Sequence, residues 1–375
     1  MWIIRNFESE SRYLKKGKVN LLYGPRRVGK TALIEKLLED KKGKIFIGNG
    51  DDMQLRMILS SEDTSKILTA FQDYDYIFVD EAQRISKIGW GLKILIDKLP
   101  KSTIIASGSS SFHLSSQVGE PLTGRSITNI LFPVSVTELK KQYGGMHIFQ
   151  NIENYLIFGM YPEVLCFRNN NDKTSYLHEL RNSYLLKDIL ELENIRNADK
   201  LFDLLKLLSF QIGNEVSLSE LGNALGLSKQ TVARYIDLLE KAFIIKKIGG
   251  YSNNLRKEVT KSNRYYFFDN GIRNAIINNF NMVEQRNDIG MLWENFMVME
   301  RIKKQHYNHI YSNNYFWRTY DKKEVDFVEE RDGKLYGFEF KWSPKKTKIQ
   351  KEWLNTYSNA SFEIINRDNF LGWLE

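Results

Sequence analysis

The chain has 375 residues, 42% of them apolar and 13% aromatic, so it is too long for one ordinary core and too apolar to be disordered. Its single cysteine, Cys166, excludes a disulfide framework and a cysteine-based zinc site, and it is typical of a reducing cytoplasm. The net charge of +8 permits a nucleic-acid partner without establishing one. No segment has the apolar length to span a bilayer, and residues 1–18 lack the pattern of a signal peptide, so we expect a cytoplasmic protein with no membrane partner.

Short apolar segments alternate with amphipathic stretches in the first third of the chain. Helical patterns are predicted at residues 30–39 and 90–98. Buried strands are predicted around them, at residues 18–23, 44–47, 76–80, 103–107 and 127–131. This alternation predicts an α/β domain over residues 1–132, with a parallel sheet that helices cover on both faces.

The segment after the first predicted strand matches the phosphate-binding pattern G-x-x-x-x-G-K-[ST] in full. Backbone N–H groups of such a loop bind phosphate oxygens, and the glycines let the loop wrap around them. Lys30 would contact the β- and γ-phosphates, and Thr31 would bind Mg²⁺ through its hydroxyl. No guanine-reading N-K-x-D motif follows, so we predict ATP as the nucleotide. The predicted nucleotide-binding residues of this loop are Gly24, Pro25, Arg26, Arg27, Val28, Gly29, Lys30 and Thr31.

A second acidic motif ends the third predicted strand, where an apolar run leads into Asp80. Asp80 is predicted to hold Mg²⁺ through water, and Glu81 to orient and deprotonate the attacking water. The next strand ends in a polar run in which Ser109 or Ser110 would sense the γ-phosphate. These elements predict ATP hydrolysis; the alternative is a glycine-rich turn beside an ordinary buried strand.

Arg125 lies just before the last predicted strand of this domain. An arginine there would act as a catalytic arginine finger in its own subunit or in a neighbour, which would make the protein a homo-oligomer. The alternative is a solvated or ion-paired surface arginine.

The middle of the chain is predicted to be helical at residues 133–200, as a lid or linker, and to form a winged helix at residues 201–285. Residues 216–228 predict a helix and a turn centred on Gly226, and residues 229–240 predict the recognition helix. Its buried stripe would be Val232, Ile236 and Leu239, and its open faces would present Lys229, Gln230 and Arg234.

The predicted hairpin at residues 243–268 has six basic residues against one acid, Glu258. Basic residues interleaved with tyrosines suit contact with a phosphate backbone, so we expect DNA as a partner. Winged helices also pack against proteins, and in that alternative the charges form a solvated face.

Charged side chains interrupt the apolar strands of the last segment, residues 286–375. Asp326 and Glu339 have the spacing D-x(12)-E-x-K, which ends at Lys341, and Glu294 lies on an amphipathic helix upstream. Buried strands seldom accept charges without a partner. A Mg²⁺ site explains them if Asp326 and Glu339 bind the metal, Glu294 adds an outer ligand and Lys341 positions water for phosphodiester hydrolysis. The alternative is a cross-strand ion pair.

Taken together, these motifs resemble the bacterial and archaeal ATPases of the AAA+ superfamily that have a C-terminal domain of unknown function with a PD-(D/E)XK nuclease-like core. The resemblance extends over nearly all of the chain. One departure is Arg264, where such proteins often have lysine. The matching motifs are YGPRRVGKT (23–31), FVDEAQ (78–83), SGSSS (107–111), LTGR (122–125), GMYPEV (159–164), YYFFDNG (265–271), WENF (293–296), FWRT (316–319), EVDF (324–327) and EFKW (339–342).

The resemblance implies a restriction-endonuclease-like α/β domain at residues 286–375, in addition to the ATPase, lid and winged helix. The expected function is an ATP-hydrolysing protein that couples its nucleotide state to a DNA-binding and nucleolytic C-terminal region. The alternative is a nucleotide-switched regulatory or DNA-binding ATPase in which the nuclease-like domain is inactive.

Overall fold

The computed structural model describes residues 2–9, 14–109, 121–182, 198–252, 263–319, 323–343 and 351–375. The chain divides into two compact units. The N-terminal unit comprises Trp2–Pro133 and Lys241–Phe243, and the C-terminal unit comprises Val134–Glu240 and Ile244–Glu375. The predicted lid, winged-helix and nuclease-like segments lie in the C-terminal unit, except for Pro133 and Lys241–Phe243.

In the described part of the N-terminal unit, five parallel strands form a sheet in the order β2-β3-β4-β1-β5. This confirms the predicted parallel α/β sheet, and the strand ends differ from the prediction by at most two residues. The helices are α1 (Lys30–Glu39), α2 (Met53–Leu59), α3 (Thr64–Phe71) and α4 (Ile88–Lys98). The strands are β1 (Val19–Tyr23), β2 (Ile45–Asn49), β3 (Tyr76–Asp80), β4 (Thr103–Gly108) and β5 (Ser126–Ile130).

The two outer strands of this sheet differ from the prediction of five buried strands. β1 and β4 are buried along their whole length, and β3 is buried except at Tyr76, whereas β2 and β5 are largely half-buried or exposed. The side chain of Ile47 on β2 is 48% exposed. An edge strand has a neighbour on one side only, so an apolar sequence does not ensure its burial. Because the strands are parallel, the carboxyl ends of β1, β3 and β4 meet at one edge of the sheet, where ligands bind in such folds.

Helices dominate the first half of the C-terminal unit, as the periodicity predicts. Ser135 begins the first of them with a capping box that includes Glu138. Across the described ranges, no helix combines the length and apolar character that crossing a membrane requires. The helices are α5 (Val136–Tyr143), α6 (Gly145–Phe158), α7 (Pro162–Cys166), α8 (Asn170–Leu180), α9 (Ala198–Phe210), α10 (Leu218–Leu225), α11 (Lys229–Lys241), α12 (Asn270–Ile276), α13 (Ile289–Tyr307), α14 (Lys351–Thr356) and α15 (Phe370–Leu374).

One sheet runs through the second half of this unit, in the order β12-β11-β10-β9-β7-β8-β6. The predicted hairpin, β7 and β8, joins the later strands because Gly249 and Gly250 on β7 pair in parallel with Tyr315 and Phe316 on β9. The predicted boundary after residue 285 therefore falls between elements that share one sheet. The strands are β6 (Glu215–Val216), β7 (Ile245–Gly250), β8 (Asn263–Phe267), β9 (Asn313–Arg318), β10 (Glu324–Arg331), β11 (Lys334–Phe340) and β12 (Ala360–Ile365).

An aromatic cluster packs against one face of β9, β10 and β11. The ring of Trp353 on α14 lies 5.3 Å from that of Trp317 on β9 and 4.8 Å from that of Tyr357. Val325 and Val328 of β10 belong to the same buried cluster. The pairing of β10 with β9 shifts register between these two valines, which places an irregularity next to Asp326.

Candidate functional site

The loop after β1 has the backbone conformation that a phosphate-binding loop needs. Gly24 has φ of 149°, and a Cβ there would lie 2.1 Å from the carbonyl oxygen of Leu131, so only glycine fits. Arg27 and Gly29 also have positive φ, of 57° and 92°. Helix α1 begins directly after this loop, at Lys30, so its free N–H groups face the space that the loop surrounds.

Lys30 lies inside the loop and is buried. Its Nζ donates hydrogen bonds to the carbonyl oxygens of Gly24 (2.9 Å) and Pro25 (2.8 Å). These carbonyls hold the ammonium group on the loop axis, where phosphate oxygens would be its stronger acceptors. The predicted phosphate contact of Lys30 is compatible with this geometry.

An arginine that the sequence reasoning missed ties the loop to the sheet. The guanidinium of Arg5 donates to the carbonyl oxygens of Val28 (2.9 Å) and Phe132 (2.6 Å). Arg5 is only 5% exposed, in a segment where Ile3 and Phe7 are also buried. A cation within an apolar stretch was the available signal, because a buried arginine needs acceptors.

Asp80, at the end of β3, connects three neighbouring elements. Its Oδ2 accepts a 2.6 Å hydrogen bond from the hydroxyl of Thr31. Its Oδ1 accepts hydrogen bonds from the hydroxyl of Ser107 and from the N–H of Glu81, the latter at 3.0 Å. The structure therefore brings together the predicted metal-binding pair, Thr31 and Asp80. Ser107, which the sequence reasoning did not select, is the serine of β4 that contacts Asp80.

Ser109 contacts the predicted catalytic carboxylate instead. Gln83 Nε2 donates to Glu81 Oε2 and, at 3.1 Å, to Ser109 Oγ, while Ser109 Oγ lies 3.5 Å from the same carboxylate oxygen. Glu81 itself has φ of 47°, an unfavourable value for a residue with a side chain. Ser110, the other predicted sensor, lies outside the described residues. Gln83 is a further residue that sequence reasoning missed.

The donor set at this edge of the sheet fits a nucleotide with its magnesium ion. The hydroxyl of Thr31 and the carboxylate of Asp80 are hard oxygen ligands, which Mg²⁺ prefers. Such an ion neutralises charge on the phosphates. Lys30 and the N-terminus of α1 bring positive charge to the same place.

Arg125 does not join this site within its own subunit. Its carbonyl oxygen accepts a hydrogen bond from Val19, at the beginning of β1, whereas the phosphate loop follows the end of β1. The strand between them is five residues long, which is roughly 16 Å. The half-exposed guanidinium of Arg125 is paired with Asp97 at 2.8 Å. In this structure the ion-paired alternative describes Arg125, and its role as an arginine finger stays a prediction.

Helices α10 and α11 have the predicted arrangement around a turn at Gly226, which has φ of 65°. The predicted buried stripe is confirmed, because Val232, Ile236 and Leu239 are all at most 4% exposed. The side chains predicted to face outward are exposed, namely Lys229, Gln230 and Arg234. In addition, β6, which the sequence did not predict, pairs with β8 beside these helices.

The charged residues of the C-terminal segment converge around Arg264 on β8. Its Nη1 lies 3.5 Å from Glu294 Oε1 on α13 and 3.7 Å from Asp326 Oδ1 on β10. Its Nη2 donates a 2.7 Å hydrogen bond to Glu324. Tyr266 donates a 2.8 Å hydrogen bond to Glu294 from the same strand.

Glu339 and Lys341 lie on the other side of Asp326. Lys341 Nζ is 2.6 Å from Glu339 Oε1, and the N–H of Phe340 donates a 2.9 Å hydrogen bond to Asp326 Oδ2. The structure thus brings the predicted residues Glu294, Asp326, Glu339 and Lys341 into one acidic centre, which we define as these four residues with Glu324 and Arg264.

Three carboxylates of the acidic centre are buried and close together, and both conditions raise their pKa values. Burial, and then the charge of Asp326, raise the pKa of Glu339 from 4.5 to about 7. The pKa of Glu294 is raised well above its usual value by burial and by Asp326, and burial raises the pKa of Asp326. The pKa of Lys341 is raised because Asp326 and Glu339 outweigh the opposing effect of burial.

The predicted metal site is not assembled in this centre. Across the described residues, no group of three or more histidine, cysteine, aspartate or glutamate side chains is arranged to hold a metal ion. The physical reason is Arg264, whose guanidinium lies between Glu294, Glu324 and Asp326 and supplies the positive charge there. The arrangement fits the predicted alternative, an ion pair, better than it fits a metal site, and the cations of the ion pair are Arg264 and Lys341.

Comparison with protein families divides the chain into three segments. Residues 16–140 match the model described as an AAA domain. Residues 149–282 match a domain of unknown function (DUF8612), and residues 289–366 match another domain of unknown function (DUF4143). The nuclease-like core that the sequence suggested is therefore matched only by a family without an assigned activity.

Relatives of this chain occur in archaea and bacteria. An uncharacterized protein of Methanocaldococcus jannaschii is 23% identical in an alignment of 330 positions that covers 83% of this chain and 72% of the relative. An uncharacterized protein of Mycobacterium bovis is 25% identical in an alignment of 337 positions that covers 88% of this chain and 71% of the relative. An uncharacterized protein of Haemophilus influenzae is 22% identical in an alignment of 333 positions that covers 84% of this chain and 80% of the relative.

Among solved structures, a Signal Transduction ATPase with Numerous Domains of Pyrococcus horikoshii, which has a tetratricopeptide repeat sensor, is 13% identical with a TM-score of 0.32. The match covers 81% of this chain and 46% of that protein, and the TM-score is too low to support an argument. The family match and the geometry of Lys30, Thr31 and Asp80 together support an AAA-type P-loop ATPase domain at residues 16–140.

Proposed function

We propose that the N-terminal unit hydrolyses ATP. The observation that supports this most directly is the sequence of contacts from Thr31 through Asp80 to Glu81 at one edge of the sheet. In this proposal Thr31 and Asp80 hold Mg²⁺, and Glu81 orients and deprotonates water. Lys30 stabilises charge on the phosphates as the bond to the γ-phosphate breaks.

Two substitutions separate nucleotide binding from hydrolysis. Lys30→Ala removes the charge that faces the phosphates, so it should abolish both ATP binding and turnover. Glu81→Gln keeps the size and hydrogen bonding of the side chain but not its basicity, so it should bind ATP normally and turn it over about 10²–10⁴-fold more slowly. Phosphate release and a fluorescent ATP analogue measure the two properties. An unchanged hydrolysis rate in Glu81→Gln would remove Glu81 from the reaction.

A second candidate function is DNA binding by the C-terminal unit, with an affinity that the nucleotide state controls. Helix α11 presents Lys229, Gln230 and Arg234 to solvent while its other face packs in the core. A winged helix has the same order of elements as this segment, which runs α9, β6, α10, α11, β7 and β8. In a winged helix, the second helix of the helix-turn-helix enters the major groove of DNA.

Arg234→Ala tests this interface. We expect this substitution to weaken DNA binding. The slope of log affinity against log salt concentration should become shallower by about one unit, which corresponds to the loss of one phosphate contact. Lys98→Ala, at the exposed end of α4, is the matched control because it removes the same charge elsewhere. Equal effects of the two changes would mean that only net charge matters. Affinity should also differ between ATP and ADP in wild type and not in Lys30→Ala.

Metal-dependent DNA cleavage by the acidic centre is the nucleolytic form of this second function. Its test is a nuclease assay on several DNA forms with Mg²⁺ or Mn²⁺, with and without ATP, in wild type and Glu339→Ala. Cleavage in wild type alone would support it. The absence of cleavage in wild type under all these conditions would leave the C-terminal unit as a binding module whose nuclease-like centre is inactive.

A further inference from the structure

Three cations lie close to one carboxylate near the carboxyl end of α13, in the described part of that region. Arg301 and Lys304 are three residues apart on this helix, so their side chains emerge on the same face. Arg301 donates to both carboxylate oxygens of Glu329 on β10. The Nε of Arg331, on the same strand, donates to one of these oxygens at 3.3 Å. The group therefore has an excess of positive charge.

The two arginines of this group are held in place, and one of them reaches solvent. Arg301 is fixed by Glu329 and lies 4.7 Å from the centre of the Trp373 ring. Arg331 lies 4.1 Å from the centre of the Tyr336 ring. The side chain of Arg301 is 6% exposed and that of Arg331 is 26% exposed, whereas that of Glu329 is not exposed. Arg331 is therefore the guanidinium that an anion from solvent can meet.

Lys304 is bonded to a neutral acceptor. Its Nζ donates a 2.9 Å hydrogen bond to the carbonyl oxygen of Trp373, which also accepts a 3.2 Å hydrogen bond from Arg301. Trp373 lies in the last turn of α15, where carbonyl groups have no partner within the helix. A carbonyl group does not neutralise an ammonium group. The preceding residue, Lys303, is different because its Nζ lies 2.7 Å from a carboxylate oxygen of Glu300.

These surroundings favour the neutral amine of Lys304. Burial, and then the charge of Arg301, lower the pKa of Lys304 from 10.5 to about 8. Arg331 acts in the same direction, and Glu329 opposes both arginines. Lys304 is half-buried and not enclosed, so its amine is within reach of solvent. A neutral amine is a nucleophile, whereas an ammonium group is not.

We propose that Lys304 is a site of acylation by an acyl phosphate, and that Arg331 attracts the phosphate group of this reagent. An acyl phosphate combines an activated carbonyl carbon with an anionic leaving group that a guanidinium binds well. The neutral Nζ attacks the carbonyl carbon, an N–C bond forms, and the C–O bond to phosphate breaks. Phosphate leaves with the electron pair of that bond and takes the proton that the nitrogen loses. This inference goes beyond ATP hydrolysis and DNA binding and depends on neither.

Acylation of Lys304 would have a different effect from acylation of its neighbour. The amide that forms keeps one N–H group for the carbonyl oxygen of Trp373, while Arg301 and Arg331 lose a neighbouring positive charge. Acylation of Lys303 would instead remove the cation that pairs with buried Glu300. The fold therefore accommodates the modification at Lys304.

The rate of acetylation at each lysine tests the proposal. Full-length protein is incubated with acetyl phosphate between pH 6 and pH 10, and acetylation is followed by peptide mass spectrometry. Near neutral pH, we expect Lys304 to react about fivefold or more faster than Lys200, an exposed lysine on α9. The rate at Lys304 should level off above about pH 8. A rate no higher than that of Lys200, or one that still rises at pH 10, would overturn the proposal.

A second reagent separates the role of Arg331 from the reactivity of the amine. The N-hydroxysuccinimide ester of acetic acid is neutral, so the preference for Lys304 over Lys200 should be about threefold or more smaller with it than with acetyl phosphate. Arg331→Gln should remove this difference between the reagents. Arg367→Gln, which changes an arginine paired with Glu153 elsewhere in the unit, should retain it.

The comparison of the two reagents in wild type is decisive even if Arg331→Gln does not fold. The same preference for Lys304 with both reagents would contradict the role of Arg331. Because neither ATP nor DNA is present, these rates are independent of whether the protein hydrolyses ATP or binds DNA.

Discussion

The hydroxyl of Thr31 lies 2.6 Å from the carboxylate of Asp80 and donates a hydrogen bond to it. The two residues are 49 positions apart, and the parallel sheet, in which β4 lies between β1 and β3, brings them together. The contact fixes the hydroxyl oxygen in the position from which it would bind Mg²⁺.

Substitution of Thr31 should therefore weaken Mg²⁺ binding more than it weakens nucleotide binding. We expect Thr31→Ala to reduce Mg²⁺-dependent ATP turnover by about 10–100-fold, because an oriented metal ligand is lost. Thr31→Ser keeps the hydroxyl and should retain turnover within about threefold of wild type by the same reasoning. Turnover measured against Mg²⁺ concentration checks both; similar losses in the two variants would mean that the methyl group, and not the hydroxyl, matters.

Gln83 should act on the rate through Glu81. Its amide holds the carboxylate of Glu81 and also contacts Ser109. We expect Gln83→Leu to lower kcat for ATP by about tenfold with little change in KM, because the base loses its orientation while the phosphate loop is untouched. The same substitution at exposed Gln72 is the control. A parallel change in kcat and KM would instead indicate a disturbed nucleotide pocket.

Arg125 should be dispensable for hydrolysis by a single subunit. It lies at the edge of the sheet opposite the phosphate loop and pairs with Asp97. We expect Arg125→Ala to leave the ATPase rate at low protein concentration unchanged, and to cost less than about 1 kcal/mol of stability. If the rate of wild type rises with protein concentration and that of the variant does not, Arg125 serves a neighbouring subunit in a homo-oligomer.

The acidic centre should make the stability of the protein depend on pH. Glu339 has a pKa of about 7, raised from 4.5 by burial and by Asp326. A raised carboxyl pKa means that the folded state holds the proton more tightly than the unfolded state does, so protonation of Glu339 stabilises the folded protein. This stabilisation is complete below pH 4.5 and is lost as pH rises through about 7. Glu339→Gln should therefore be more stable than wild type at pH 8, by about 1–3 kcal/mol, and the difference should shrink toward pH 5.

Urea unfolding followed by tryptophan fluorescence at several pH values measures this difference. Glu363→Gln, which changes an exposed glutamate on β12, is the matched control and should show no such trend. A difference between Glu339→Gln and wild type that is constant with pH would contradict the assignment. The loss of the charge partner of Lys341 works in the opposite direction, but Lys341 is too exposed for it to dominate.

The nucleotide site could be predicted from sequence because its chemistry is local. Gly24 to Thr31 form one loop, and the position of Asp80 follows from a strand that ends in an acid. The nearest serine to Asp80 was harder to predict, since Ser107 lies in β4 and Ser109 directly after it, and only packing determines which of them contacts Asp80. The contacts of Arg5 likewise depend on where β5 ends.

The acidic centre shows the limit of such reasoning. The spacing of Asp326, Glu339 and Lys341 correctly grouped these residues, because neighbouring strands bring them together. Arg264 belongs to a different predicted domain and lies 60 positions before Glu324. No local pattern connects them, so the sequence predicted a metal where the structure has a guanidinium.

The parallel pairing of β7 with β9 also determines where this protein can be divided. Genetic dissection at the predicted boundary after residue 285 would separate partner strands and leave a bare hydrogen-bonding edge on each fragment. Such edges recruit strands from other molecules. Neither fragment would be an independent module: each should aggregate alone, and the two should recombine when they are produced together. The hairpin and the acidic strands are thus parts of one indivisible folding unit.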